Sequence, residues 1–373
     1  MNIIVIGGGA AGLMAAGTAA EQGANVTLFE TNEKVGRKLF ITGKGRCNVC
    51  NDCDAQEVLR NVPVNPRFLY SALGAFSPAD VKAFFEEKGV ALKTERGNRV
   101  FPVSDRASDI IDALFLWVRR TGVSIVHASV SDLIMQDGRV TGVRAGKKTC
   151  LADRVIVATG GASYPQTGST GDGYRFAREA GHTVVPANPS LVPLVESGET
   201  CRSLMGLSLR NVQLTVFENE KKIYTDFGEM LFTHFGLSGP LVLSASAHMR
   251  HFGSKSYRVE IDLKPALDEK TLDRRLLTDF DKHKNSDFIN ALGELLPRKL
   301  IPAVIEKSGI DPREKVNTIT KKQRASLLRV LKCFPVEISG KRPIAEAIVT
   351  TGGVSVREVS PKTRASKKCS GLY

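Results

Sequence analysis

Residues 2–30 read NIIVIGGGAAGLMAAGTAAEQGANVTLFE, and this stretch decides the fold. Asn2 to Ile6 is a short apolar, β-branched run, the pattern of a parallel strand buried on both faces. Gly7, Gly9 and Gly12 stand in G-x-G-x-x-G register. Small helix-favouring residues continue to about Gln22, Ala24 to Phe29 reads as a second strand, and Glu30 closes the unit. Each position has a mechanical task. Gly7 permits a tight turn, Gly9 lets backbone approach a pyrophosphate, and Gly12 lets helix and strand pack closely, with the free amides of the helix start facing the phosphates. A carboxylate at Glu30 can accept both hydroxyls of an adenosine ribose, and it disfavours a 2′-phosphate. FAD or NAD is therefore expected rather than NADP, and a ligand-free glycine turn explains the complete set poorly.

No second fingerprint follows. Gly168-Ser-Thr-Gly171-Asp-Gly173 does not follow a strand and reads as a loop before a helix from about Tyr174 to Glu179. One tightly held cofactor fits better than two nucleotide domains. Downstream of Glu30, residues 36–53 read GRKLFITGKGRCNVCNDC. Gly36, Gly43 and Gly45 suit a chain that hugs a ligand, and Arg37, Lys38, Lys44 and Arg46 bring positive charge toward the phosphates. The competing reading is a basic, glycine-rich surface turn. Cys47, Cys50 and Cys53 have C-x2-C-x2-C spacing, but no C-x3-C-P completion follows and the next cysteine is Cys150. A metal centre is therefore not expected, and free thiols beside a flavin are.

Farther along, a short helix is expected over 76–90 and an amphipathic helix over Ala107 to Arg120, whose Trp117 reads as packing. Asp137-Gly138 marks a hairpin, and Val155 to Ala158 is another apolar strand, ending in Thr159-Gly160-Gly161. The fold class read from this order is α/β: a two-dinucleotide-binding-type FAD domain with an inserted β-barrel-like domain that itself carries a small helical subdomain. Residues 1–190 plus 333–373 are assigned to the Rossmann-like FAD domain. Residues 191–332 form the inserted substrate domain, β-rich over 191–263 and helical over 264–332, with stripes such as Phe288, Leu292, Leu295 and Leu296.

The chain has 373 residues with a formal net charge of +13, most of it beyond residue 263. Such a field attracts polyanions, nucleic acid included, but also arises from solvated helix faces. No apolar run reaches the length of a membrane span, Met1 opens directly on a strand, and seven cysteines read as reduced thiols, so a cytoplasmic protein without a membrane anchor is expected.

With these residues on the page, the chain resembles the BaiN/RdsA family of NAD(P)/FAD-dependent oxidoreductases over essentially its whole length. The marks are GRKLFITGKGRCN at 36–48, ATGGASYPQTGSTGDGY at 158–174, PSLVPL at 189–194, LFTHFGLSGP at 231–240 and TTGGV at 350–354. The resemblance implies bound FAD, with NAD(P)H as a transient electron donor. It implies that Gly7, Gly9, Gly12, Glu30, Arg37, Lys38, Gly43, Gly45, Arg46, Cys47 and Asn48 line the cofactor. Val130 is to present backbone to the adenine, Thr159 and Gly160 to pass the pyrophosphate, and Gly352, Gly353 and Val354 to contribute from the last motif. Lys44 stands where many relatives carry glycine. The family also runs on past G-L-Y into a strand and a closing helix, so the nucleotide domain is expected to be truncated at Tyr373, with weakened FAD retention.

Three functions follow as expectations. The first is reduction of a uridine in large-subunit ribosomal RNA to dihydrouridine, as the resemblance implies, with the basic last third as the RNA surface. The second is reduction of a small conjugated enone of bile-acid or steroid type, and the third a non-catalytic RNA-binding or assembly factor. Cys47 is the first proton-donor candidate, because the resemblance places its loop near the flavin. His234 is the second, with a structural role near the helix start at Ser238-Gly239-Pro240 as its alternative.

Overall fold

The computed structural model describes all 373 residues. Its contacts divide the chain into two units, 1–188 with 350–373, and 189–349.

The first unit is built on a parallel sheet. Strand β1 (Asn2–Ile6) pairs on one side with β2 (Asn25–Glu30) and on the other with the strand Arg154–Val157, while Ser124–His127 extends the β2 edge. Ile4 faces Thr27 on one flank and Val155 on the other, so the β-branched run at 3–6 is central in the sheet, as its unbroken apolar pattern requires. Helix α1 (Ala10–Glu21) returns the chain from β1 to β2. It packs on the helix Ala107–Arg120 so closely that a Cβ on Gly17 would lie 2.4 Å from the Trp117 ring. Trp117 is core, as expected, and its indole N–H donates to Glu21 at 2.6 Å.

Residues 124–136 form two strands with different partners. Ser124–His127 belongs to the parallel sheet, and Val130–Gln136 starts an antiparallel meander through Arg139–Ala145 and Lys148–Leu151. Asp137 and Gly138 both take positive φ, which is what a two-residue hairpin turn of this twist demands. The short helix expected over 76–90 spans Pro78–Glu87, held at its start by a reciprocal Ser77–Asp80 capping box. At the far end of the chain, Gly371 to Tyr373 adds parallel hydrogen bonds to the outer edge of Arg154–Val157, from Val155 N–H to Gly371 O and from Val157 N–H to Tyr373 O.

The second unit is a closed six-stranded barrel. Its order is Leu194–Glu196, Gly236–Ser238, Lys221–Thr233, Ser208–Glu218, Tyr257–Asp262 and Phe334–Lys341. The helices Glu269–Lys282, Ile301–Ser308 and Lys321–Lys332 lie in sequence between the last two of these strands. The expected apolar stripes are its interior: Phe288, Leu292, Leu295, Leu296, Leu300, Val304, Ile305, Leu327 and Leu331 are all buried in one cluster with the barrel. One boundary needs correction. Residues 333–349 were expected in the nucleotide domain, yet Phe334–Lys341 pairs with both Tyr257–Asp262 and Leu194–Glu196 and closes the barrel. A strand whose partners lie in the inserted unit belongs to that unit. No helix is long and apolar enough to cross a membrane.

Candidate functional site

The end of β1 sets the site. Gly7 has φ +105, and a Cβ there would sit 2.6 Å from the carbonyl oxygen of Ala158. Only glycine makes that turn. Gly12 is equally constrained, because its Cβ would fall 1.8 Å from Gly7 O. Gly9 differs. Its φ of −81° and ψ of −172° suit any residue, and nothing lies within 4 Å of a Cβ built on it. Packing therefore gives no reason for glycine at 9, whereas a ligand passing against its Cα does. Gly9 caps α1, and the first helical bond runs from Leu13 N–H to Gly9 O. The amides of Ala10, Ala11 and Gly12 precede that bond and lie at the positive end of the helix.

These groups open onto a cavity of about 560 Å³. Its walls include Gly7 to Ala11, Glu30 to Asn32, Gly36 to Leu39, Thr42, Ala128 to Val130, and Val157 to Gly160. Glu30 is 7% exposed. Its Oε2 accepts from Gly8 N–H at 2.7 Å and its Oε1 from the backbone and side-chain amides of Asn32 at 2.8 and 2.6 Å. Burying a carboxylate is costly unless such donors satisfy it. Lys38 donates to the carbonyl of Ser163 at 2.8 Å, and burial holds its ammonium below the usual lysine range. Arg37 donates to Asn32 Oδ1 at 2.7 Å. The hydroxyl of Thr159, on the opposite wall, is buried without a partner. Free helix amides, an unhindered glycine, a buried acid and an orphaned hydroxyl are what an extended adenine dinucleotide such as FAD uses.

Of the residues read from sequence, Gly7, Gly9, Glu30, Arg37, Lys38, Val130, Thr159 and Gly160 line this cavity, and Gly12 packs directly behind it. The 43–48 segment turns elsewhere; of that loop, Thr42 reaches the cavity wall. A Cβ on Gly43 would meet Asn48 N and the Phe101 ring, both at 2.9 Å, so Gly43 serves packing, and Gly45 has nothing within 4 Å. Arg46 stacks on Phe101 and pairs with Glu95 at 2.9 Å and Asp105 at 3.2 Å, so its charge is spent within the protein. Asn48 is exposed beside it. Cys47, at φ +60 and 1% exposed, is packed in the core with Leu13, Val90 and Ile110, and burial pushes its thiol up. The core position argues against its role as proton donor. His234 is exposed at the turn between Lys221–Thr233 and Gly236–Ser238 in the barrel unit, edge-on to Phe235 at 4.9 Å. Gly352 and Gly353 both take positive φ, and a Cβ would lie 2.3 Å from Pro186 O at the first and 3.2 Å from the Tyr174 ring at the second. Val354 lines a separate, smaller cavity, and none of the three lines the dinucleotide cleft.

Three contributors escaped the sequence reading. A Cβ on Gly8 would meet Glu30 Oε2 and Val35, each at 2.9 Å. Gly168 is held to glycine by Asn32, 2.7 Å from its Cβ position. Asn32 itself contacts Glu30, Arg37 and Thr167. The unbroken Gly-Gly-Gly at 7–9 was the available signal for Gly8; a lone asparagine two residues after an acid carries none.

The profile of the HI0933-like protein Rossmann domain matches residues 1–373. The chain is 31% identical to a 3-dehydro-bile acid delta(4,6)-reductase of Clostridium scindens, over 100% of this chain and 91% of that protein. It is 32% identical to a ribosomal RNA dihydrouridine synthase of Haemophilus influenzae, over 99% of this chain and 90% of the relative. Among solved structures, a 3-ketosteroid-delta4-(5alpha)-dehydrogenase of Rhodococcus jostii RHA1 aligns over 100% of this chain and 89% of its own, with a TM-score of 0.45 and 14% identity.

Proposed function

Since the chain belongs to the HI0933-like family of Rossmann-fold flavoproteins, we propose that it reduces a carbon–carbon double bond conjugated to a carbonyl in a small enone of bile-acid or steroid type. It is an FAD-dependent oxidoreductase with NAD(P)H as electron donor. When bound, FAD would take a hydride from NAD(P)H and, as reduced flavin, would supply it to the electron-poor end of such a double bond, with a proton added at the other end.

The chain's own residues do the holding. The α1 amides and Gly9 take the pyrophosphate, where the helix dipole favours negative charge. Glu30 takes the adenosine ribose through what remains of its acceptor capacity, and Thr159 offers its hydroxyl to the ligand. Lys38 and Arg37 lend positive charge while tied to Ser163 and Asn32, which keeps them in place before the ligand arrives. Cys47 supports the 42–47 turn, through the bond from its N–H to Thr42 O.

The observation that carries the small-enone reading is the full-length likeness to the delta(4,6)-reductase. A uridine of ribosomal RNA is the second reading, favoured by the dihydrouridine synthases among the relatives and by the basic charge beyond residue 263. Part of the basic set is engaged in local ion pairs, although the net excess remains. On the helices, Arg275 and Lys282 face Asp279, Lys284 faces Asp281, and Arg324 faces Asp273. Paired cations release few counterions on meeting a polyanion. The test is oxidation of NAD(P)H by the FAD-loaded protein with a 4-en-3-one bile acid, against unmodified ribosomal RNA. Turnover of the enone that is indifferent to salt is expected. Dihydrouridine formation that collapses with added salt, with no enone turnover, would replace this reading by the second.

A further inference from the structure

We propose that Asn32 is the positioning residue of the adenosine end of the cleft, fixing the Glu30 carboxylate so that its open acceptor site reads a ribose hydroxyl. The inference rests on the assignment of Glu30 to the ribose.

Four segments meet at this one residue. Its backbone N–H and its Nδ2 both donate to Glu30 Oε1, at 2.8 and 2.6 Å. Nδ2 also reaches the carbonyl of Thr167 at 3.3 Å, across the cleft in the loop that precedes Gly168. Its Oδ1 accepts from Arg37 Nη1 at 2.7 Å, and its carbonyl lies 2.8 Å from His127 Nδ1. The amide can face only one way, because Nδ2 meets two acceptors and Oδ1 meets a guanidinium. Gly168, at φ +92, leaves the space that the amide occupies.

The consequence for Glu30 follows from counting acceptor sites. A carboxylate offers about two lone-pair directions on each oxygen. The two Asn32 donors fill those of Oε1, and Gly8 N–H takes one on Oε2. The carboxylate is thereby locked in one plane, with its open site on Oε2 beside the glycine turn. Without the side-chain amide, Glu30 keeps its bonds from the backbone N–H groups of Gly8 and residue 32, but Oε1 loses the donor that is tied to Thr167 and braced by Arg37, and its unfilled site leaves the carboxylate free to tilt. Positioning is lost while the acid remains.

The experiment compares FAD with its 2′-deoxyadenosine and 3′-deoxyadenosine analogues, titrated into the full chain freed of flavin and followed by flavin fluorescence. The readout is the ratio of the dissociation constants, which a general loss of folded protein does not move. The unsubstituted chain is expected to bind at least one analogue about tenfold or more weakly than FAD, the loss of a hydrogen bond to a charged group. Asn32→Ala and the isosteric Asn32→Asp, which turns an oxygen toward Glu30, are each expected to shrink that ratio to within about threefold. Asn32→Asp keeps the side-chain volume, so it reports even where the alanine variant folds poorly. If the ratio survives in both variants while Glu30→Ala abolishes it, the Asn32 proposal is overturned and the ribose reading stands. If the unsubstituted chain discriminates against neither analogue, the ribose reading fails and takes this proposal with it.

Discussion

Gly9→Ala separates ligand binding from folding at a single atom. A Cβ on Gly9 has no protein atom within 4 Å, and the backbone there, φ −81° and ψ −172°, is open to alanine. Two small effects on stability oppose each other. Alanine is a poorer helix N-cap than glycine by roughly 0.5–1 kcal/mol, and it removes roughly 0.4–1 kcal/mol of unfolded-state freedom. The net is close to zero. For the ligand the added methyl occupies the line along which a pyrophosphate meets the α1 amides. Losing one charge-assisted amide–phosphate bond costs about 1.5–3 kcal/mol, or roughly 10- to 150-fold in affinity. Gly12→Ala is the contrasting control, since its Cβ would lie 1.8 Å from Gly7 O and α1 must move off the sheet. Overpacking of that kind costs about 1–3 kcal/mol or more. Fluorescence titration of FAD and thermal melts of the flavin-free proteins give both quantities. Gly9→Ala should lose FAD affinity at an unchanged melting temperature, and Gly12→Ala should melt several degrees lower. Binding of FAD by Gly9→Ala within threefold of the unsubstituted chain would refute the placement of the pyrophosphate.

Gly17→Ala drives a methyl to 2.4 Å from the Trp117 ring and should destabilise the nucleotide unit by about 1–3 kcal/mol in denaturant unfolding; Trp117→Leu in the same chain should recover part of it. Lys341 gives a pH signature, because burial, with Arg250 nearby, pushes its ammonium down to about 8 from 10.5. Between those values the unfolded chain binds the extra proton, so this group makes stability rise with pH through that window and penalises the fold below it. Lys341→Met should therefore be the more stable protein near neutral pH and lose that advantage by about pH 10, as denaturant unfolding at both values would show. Burial pushes the Cys50 thiol up to about 11, against the opposing pull of Lys82. Its alkylation by iodoacetamide, followed by mass spectrometry, should still be accelerating above about pH 10, and a plateau below pH 9 would contradict that environment.

Local pattern was enough for the nucleotide fingerprint. Turn, helix and strand at 2–30 are set by neighbours within a few positions, and each glycine's task is defined by the chain adjacent to it. The helical stripes at 107–120 and 288–331 were equally legible, since a period of 3.6 already states which face is buried. So was the class of ligand, because the acid at 30 and the glycines at 7, 9 and 12 act together at short range.

Tertiary structure decided the rest. Arg46 and Cys47 stand in a motif that reads as ligand-hugging, but Arg46 is captured by Glu95 and Asp105, and Cys47 is drawn into the core. Phe334–Lys341 reads as any strand, and only pairing with Tyr257–Asp262 and Leu194–Glu196 makes it part of the barrel. Asn32 looks like a solvated loop residue until the Thr167 carbonyl, 135 positions away, arrives beside it. A sequence fixes the periodicity and conformational limits of each segment. Which distant donor or charge a side chain meets depends on packing between segments, and that carries no local signature.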